Sequence, residues 1–169
     1  MSRLPSRHYI ENLRNINTDD YERFSWCGKY FLAKASDVYD GDTFTATWLV
    51  NNDVVKQRCR CVGYNSPEIR PRLNVANRNN VIAMAELAKK RMQELLNQDE
   101  FIVVECFEND DFGRMLTVVY NKTNGSKSLN QIMLDEGHGC VYISNDKNDP
   151  KLSDASPYME MIATCPLKK

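Results

Sequence analysis

Apolar and polar positions alternate from Tyr30 onward, and the period of that alternation changes twice along the chain. Tyr30 to Tyr39 reads as a first strand, closed by the turn Asp40-Gly41. Thr43, Thr45 and Thr47 then alternate with Phe44, Ala46 and Trp48, a period of two in residues that favour a pleated, half-buried surface. Asn51-Asn52-Asp53 predicts a hairpin turn. The third strand, Val54 to Val62, sets Lys56, Arg58 and Arg60 on one face and Val55, Gln57, Cys59 and Cys61 on the other.

After a loop from Asn65 to Asn80 the period lengthens. Val81, Met84, Ala85, Ala88, Met92, Leu95 and Leu96 recur at spacings of three and four, which predicts a helix with that stripe on the core. Two strands follow, Phe101 to Glu108 and Arg114 to Asn121. Ser128 and Gln131 match a capping box for a short helix carrying Leu129, Ile132 and Met133 and stopped by Gly137. Cys140 to Ile143 reads as a last short strand. Three strands in a meander, a helix, two strands and a short helix, without βαβ alternation, predict an α+β, mainly β fold: a five-stranded OB-type β-barrel with two or three packed helices. Residues 1–28 read as an N-terminal extension that packs on the domain through a weak helical pattern (Tyr9, Leu13, Ile16) with a helix start at Thr18. Residues 29–143 read as the barrel domain and 144–169 as a C-terminal tail draped on its surface.

Composition adds little until it is mapped. The formal net charge is −1, but from Val54 to Arg91 nine basic residues face only Glu68 and Glu86. One basic segment in a balanced chain suits a local phosphate site better than a broad duplex-gripping surface. The first residues, MSRLPSRHYIENL, contain no apolar h-region and no apolar run reaches membrane-spanning length, so an intracellular protein without membrane association is expected. In that setting the six cysteines are expected to be reduced, and none has the spacing of a zinc site.

The chemistry concentrates in three pieces: the turn Asp40-Gly41-Asp42-Thr43, the stretch Arg60-Cys61-Val62-Gly63-Tyr64-Asn65-Ser66-Pro67-Glu68, and Asp110-Asp111-Phe112-Gly113-Arg114. Phosphate chemistry needs cations on the phosphoryl oxygens, a carboxylate near the attacking water, and usually a metal to bridge them. In this order and on these elements, the pieces resemble the staphylococcal nuclease (thermonuclease) family from about Lys34 to Tyr142. The resemblance implies that Arg60, Glu68 and Arg114 are catalytic, the arginines binding phosphate and Glu68 acting on the water. It implies Ca²⁺ as cofactor, held by Asp42, Asn65 and the backbone carbonyl of Ser66, with Asp40 and Thr43 beside them. Phe112, with Arg58 and Lys56, would contact substrate. DNA or RNA is the implied substrate, preferably single-stranded, cut with low sequence preference to leave 3′-phosphates, and a monomer is expected. The variant loop Gly-Tyr-x-Ser-Pro-Glu is similar to nuclease relatives in large DNA viruses and their hosts.

One position departs from the family's pattern. Its second calcium carboxylate is here Asn65, which offers Ca²⁺ a neutral carbonyl but removes a formal charge, so metal affinity is expected to fall. Asn65 is compatible with an active enzyme of weaker metal binding, with a domain that kept the fold and lost the chemistry, or with an engineered change. A catalytically silent domain that binds single-stranded nucleic acid or a protein is the competing function.

Overall fold

The computed structural model describes residues 6–142. The last residue of the expected final strand, Ile143, the 144–169 tail and Cys165 lie outside them. β1 (Tyr30–Ser36), β2 (Thr43–Val50) and β3 (Asp53–Cys61) form the meander. β5 (Ile102–Asn109) and β6 (Met115–Tyr120) complete a closed barrel in the order β1-β2-β3-β6-β5. Between the two halves lie β4 (Tyr64–Asn65) and α2 (Arg78–Leu96); α3 (Leu129–Asp135) and β7 (Cys140–Val141) follow β6. α1 (Arg7–Arg14) stands in the N-terminal arm. The fold is the expected five-stranded OB-type barrel with three helices, mainly β.

Register follows from turn chemistry and alternation. Asn51 and Asn52 both take positive φ (50° and 70°), the type I′ hairpin geometry whose twist matches its strands. Val50 therefore pairs with Asp53, and the ladder runs without slippage to Thr43 opposite Arg60. Phe44, Ala46, Trp48, Cys59 and Cys61 fill the interior, and the parallel pairing of β3 with β6 closes it. Burial in this apolar setting pushes the thiols of Cys61 and Cys106 up to about 12, which leaves them inert packing groups at neutral pH.

α2 seals one end of the barrel with Ala85, Ala88, Met92, Leu95 and Leu96. Met84 does not belong to that stripe: it is 53% exposed, lying just outside the buried arc, about 20° beyond Leu95 on the helix wheel. α3 is capped by the Ser128 hydroxyl, which accepts from the Gln131 N–H. The Gln131 side chain runs forward to Asp135, so only half of the expected capping box forms. Arg91 on α2 grips Glu136 after α3 with two donors at 2.6 and 2.7 Å.

Asn130 ties α3 to the barrel. Fully buried, it accepts from the Val119 N–H and donates to the carbonyls of Val62 and Thr117, each at 3.0 Å. Replacing it by Ala takes the partner from the buried Val119 N–H and Val62 O, while Thr117 O keeps the Val62 N–H as its donor. Since each such group costs about 1–3 kcal/mol, Asn130→Ala is expected to lower stability by several kcal/mol, among the largest single-site losses here. Chemical denaturation measures it.

The arm packs on the barrel through its end rather than its helix. Tyr9, Ile10, Leu13 and Ile16 are exposed and α1 buries nothing, while the Thr18 start is one 3₁₀ turn (Thr18–Asp20). Trp26 makes the contact, with its ring edge-on to Phe31 at 5.1 Å and Trp48 at 6.3 Å. The Gly28 N–H donates to Cys106 O, so pairing with the barrel begins just before β1.

Candidate active site

The three sequence pieces meet at one edge of the barrel. β1 runs into the turn Asp40-Gly41-Asp42, which starts β2. The turn is drawn tight by the Asp42 N–H donating to Asp40 Oδ1 at 3.1 Å and by the Tyr39 N–H donating to Thr43 O at 2.8 Å. The Cys61 N–H donates to Asp42 O and holds the turn against the end of β3. The Tyr64 hydroxyl donates to Gly41 O at 2.7 Å, and the Ser66 N–H donates to Asp42 Oδ2 at 2.8 Å. Thus the turn, the end of β3 and the Ser-Pro loop are locked together by backbone groups rather than by chance proximity of side chains.

Arg60 is buried at the centre. Its Nη1 donates to Cys61 O at 2.5 Å and Tyr64 O at 3.1 Å, and lies 3.3 Å from Asp42 Oδ2. Its Nη2 donates to Tyr64 O and to Asn65 Oδ1. Only its Nε–H has no acceptor among the described residues. The planar fork is thereby fixed in one orientation, which lysine could not achieve.

Arg114 approaches from the β5–β6 loop. Asp110 builds that loop: its Oδ1 accepts the N–H groups of Phe112 and Arg114, and its Oδ2 accepts Arg114 Nε at 2.7 Å. Gly113, at φ +73°, lets the chain reverse where a side chain would be strained. Arg114 Nη1 reaches Thr43 Oγ1 at 3.5 Å, and the same hydroxyl donates to Asp42 Oδ1 at 2.9 Å. A continuous polar path therefore runs Arg114–Thr43–Asp42–Arg60.

Two adjoining clefts open on this frame. The smaller, about 270 Å³, is lined by Asp40, Asp42, Arg60, Asn65, Ser66, Glu68 and Arg114. Asp40 and Asp42 are both buried there. Burial, reinforced by the charge of Asp42, pushes Asp40 up to about 6. Glu68 is exposed and its carboxylate has no partner among the described residues. The larger cleft, about 370 Å³, shares Arg60, Asn65 and Arg114 and continues to Phe112 and Tyr142. Phe112 is 84% exposed, with the Arg114 guanidinium 5.3 Å from its ring centre. Arg58 and Lys56 line neither cleft. Arg58 lies over the Tyr39 ring and Lys56 pairs with Asp37 at 3.4 Å, so two of the three cations on the β3 face point along the barrel wall.

Several contributors carry no sequence signal of their own. Tyr64 acts through its hydroxyl and its carbonyl, and a carbonyl is invisible to residue type. Asp110 had a signal, an Asp four residues before an Arg across a Gly turn. Tyr142 comes to the cleft because β7 pairs with β4, a two-residue contact too short for periodicity to find.

One edge of the OB-type barrel thus carries two arginines, a carboxylate pair and a free glutamate, a set suited to handling a phosphate. The family model of the staphylococcal nuclease homologue matches residues 58–160, and the chain belongs to that family. The match contains Arg60, Asn65, Ser66, Glu68 and Arg114; the Asp40–Thr43 turn precedes it. Among curated proteins none matches the chain. No helix among the described residues is long and apolar enough to cross a membrane.

Proposed function

We propose that the protein is a Ca²⁺-dependent phosphodiesterase that hydrolyses single-stranded DNA or RNA with low sequence preference and leaves 3′-phosphates. The observation that carries this reading is the convergence of Arg60, Arg114, Glu68 and the Asp40/Asp42 pair on one cleft. The donor set fits a calcium ion in part. Two buried carboxylates two residues apart carry negative charge that burial alone disfavours, as the raised Asp40 reflects, and Asp42, Asp40 and the oxygens of Ser66 are hard donors of the kind Ca²⁺ takes. When bound, the ion would supply Lewis-acid polarisation of a phosphoryl oxygen.

The chain's own groups do the rest. Glu68, free at the cleft, takes a proton from a water held in line with the scissile P–O5′ bond; the water oxygen bonds to phosphorus as P–O5′ breaks, and the departing O5′ takes a proton from solvent, leaving a 3′-phosphate and a 5′-hydroxyl. A carboxylate is a weak base toward water, so the gain comes from holding that water in line. Arg60 Nε and the outer face of Arg114 would meet the negative charge that builds on the phosphoryl oxygens of the five-coordinate transition state, with their orientation fixed before substrate arrives. Phe112 and Tyr142 border the larger cleft as apolar faces against which a base can lie.

Cleavage of labelled single-stranded DNA and RNA in Ca²⁺ and in chelator tests the reading. Cutting in Ca²⁺ that chelator abolishes is the expected result. Salt-sensitive binding to the strands without cutting in either condition would replace hydrolysis by nucleic-acid binding.

A further inference from the structure

The side-chain amide of Asn65 is turned toward Arg60. Its Oδ1 accepts from Arg60 Nη2. Because a guanidinium offers only donors, the atom facing it must be the amide oxygen. The Nδ2 group is therefore the half of the amide left over. It has no partner among the described residues, and the exposed residue that carries it lines both clefts.

We infer that Asn65 serves as a positioning residue for Arg60 and as a hydrogen-bond donor to the substrate phosphate, and not as a ligand of calcium. This rests on the nuclease reading for the identity of the substrate, although the inference concerns phosphate recognition alone. Its oxygen completes the set of acceptors that hold Arg60, after Cys61 O, Tyr64 O and Asp42. Its nitrogen adds a neutral donor to the clefts that Arg60 also lines. A carboxylate at this position would present two acceptors and no donor, and would add a negative charge to a cleft that already holds Asp40, Asp42 and Glu68. An anionic phosphate entering ahead of the metal would then be repelled. With the neutral amide, two arginines face three carboxylates rather than four, and phosphate binding no longer requires the cation to come first.

Two ligands and two variants separate this role from ligation. Inorganic phosphate is titrated in EDTA and followed by side-chain amide and guanidinium resonances; calcium is followed by displacement of Tb³⁺ luminescence. In Asn65→Ala, phosphate affinity is expected to fall about tenfold, the loss of a hydrogen bond to a charged group, while calcium affinity stays within about twofold of the parent because no metal ligand has been removed. In Asn65→Asp, calcium is expected to bind about tenfold tighter or more, and phosphate in EDTA about tenfold weaker or more, from the added charge. A clear loss of calcium affinity in Asn65→Ala would make Asn65 a ligand and overturn the inference. So would equal phosphate affinity in the parent and Asn65→Ala. If Asn65→Asp fails to fold, as judged by its melting curve, the Ala variant decides alone. Cleavage by the parent separates the two readings: cutting with an unchanged phosphate arm rejects only the role of Asn65, and no cutting with a responsive phosphate arm rejects only hydrolysis.

Discussion

Glu68→Gln is expected to lower the Ca²⁺-dependent cleavage rate by about 10²- to 10⁴-fold, the range for loss of a positioned general base, while leaving the melting temperature unchanged. The separation of the two effects follows from where Glu68 stands. It is exposed, it has no partner among the described residues, and the loop that carries it is fixed by Ser66 N–H to Asp42 rather than by the glutamate itself. Surface replacements of that kind stay within about 0.5 kcal/mol. Gln keeps the shape and removes only the ability to take a proton, so substrate binding should persist. Single-turnover cleavage at saturating substrate, with a melting curve alongside, measures both. A rate within tenfold of the parent would remove Glu68 from the chemistry, and the buried Asp40 would be the next carboxylate to test. Arg60→Ala could not give so clean an answer, since it also strips Asp42 and two carbonyls of their donor.

Much of this arrangement is legible in the sequence. The barrel is legible because its signals are local: a type I′ turn at Asn51-Asn52, strict alternation in β2, a glycine with positive φ at the head of β6. The three site motifs are legible for the same reason, each being a turn next to a strand end. What could not be read depends on partners distant in sequence or on main-chain atoms. The Arg60 cage is built from carbonyls of Cys61 and Tyr64, which any residue types would supply. The stripe Lys56-Arg58-Arg60 has one spacing and three fates: a clef-edge guanidinium, a cation over Tyr39, and a surface ion pair. Met84 lies only just outside the buried arc of its helix, a distinction finer than an apolar stripe resolves. In the arm, the periodic Tyr9-Leu13 pattern stays exposed, and the contact is made by Trp26, a single aromatic without periodicity.

Gly41→Ala is expected to damage both fold and site, for a reason that lies in packing and not in backbone strain. A Cβ at Gly41 would fall 2.7 Å from Ala88 Cβ and 2.8 Å from Ser66 Cβ. Neither is the far end of a flexible side chain; each is fixed to its own backbone, one in α2 and one in the Ser-Pro loop. Something must therefore move, and the Tyr64 hydroxyl bond to Gly41 O resists the turn moving alone. Overpacking of this kind costs about 1–3 kcal/mol and occasionally more, a fall in melting temperature of roughly 2–12 °C for a chain of this size. The loss of activity should be larger than the loss of stability implies. The displaced atoms adjoin Asp40, Asp42 and Ser66, and misplacement of a site by about 1 Å can cost about a hundredfold in rate. Ala88→Gly in the Gly41→Ala background removes one of the two collisions. Alone it should lower stability by about 1 kcal/mol, the helix cost of glycine, yet in the double variant it should restore part of the cleavage rate. Recovery of rate without recovery of melting temperature is the signature of a turn held in place by α2. If Gly41→Ala melts and cleaves like the parent, the turn has room to shift, and the tight seat of Gly41 against the helix is not what organises the site.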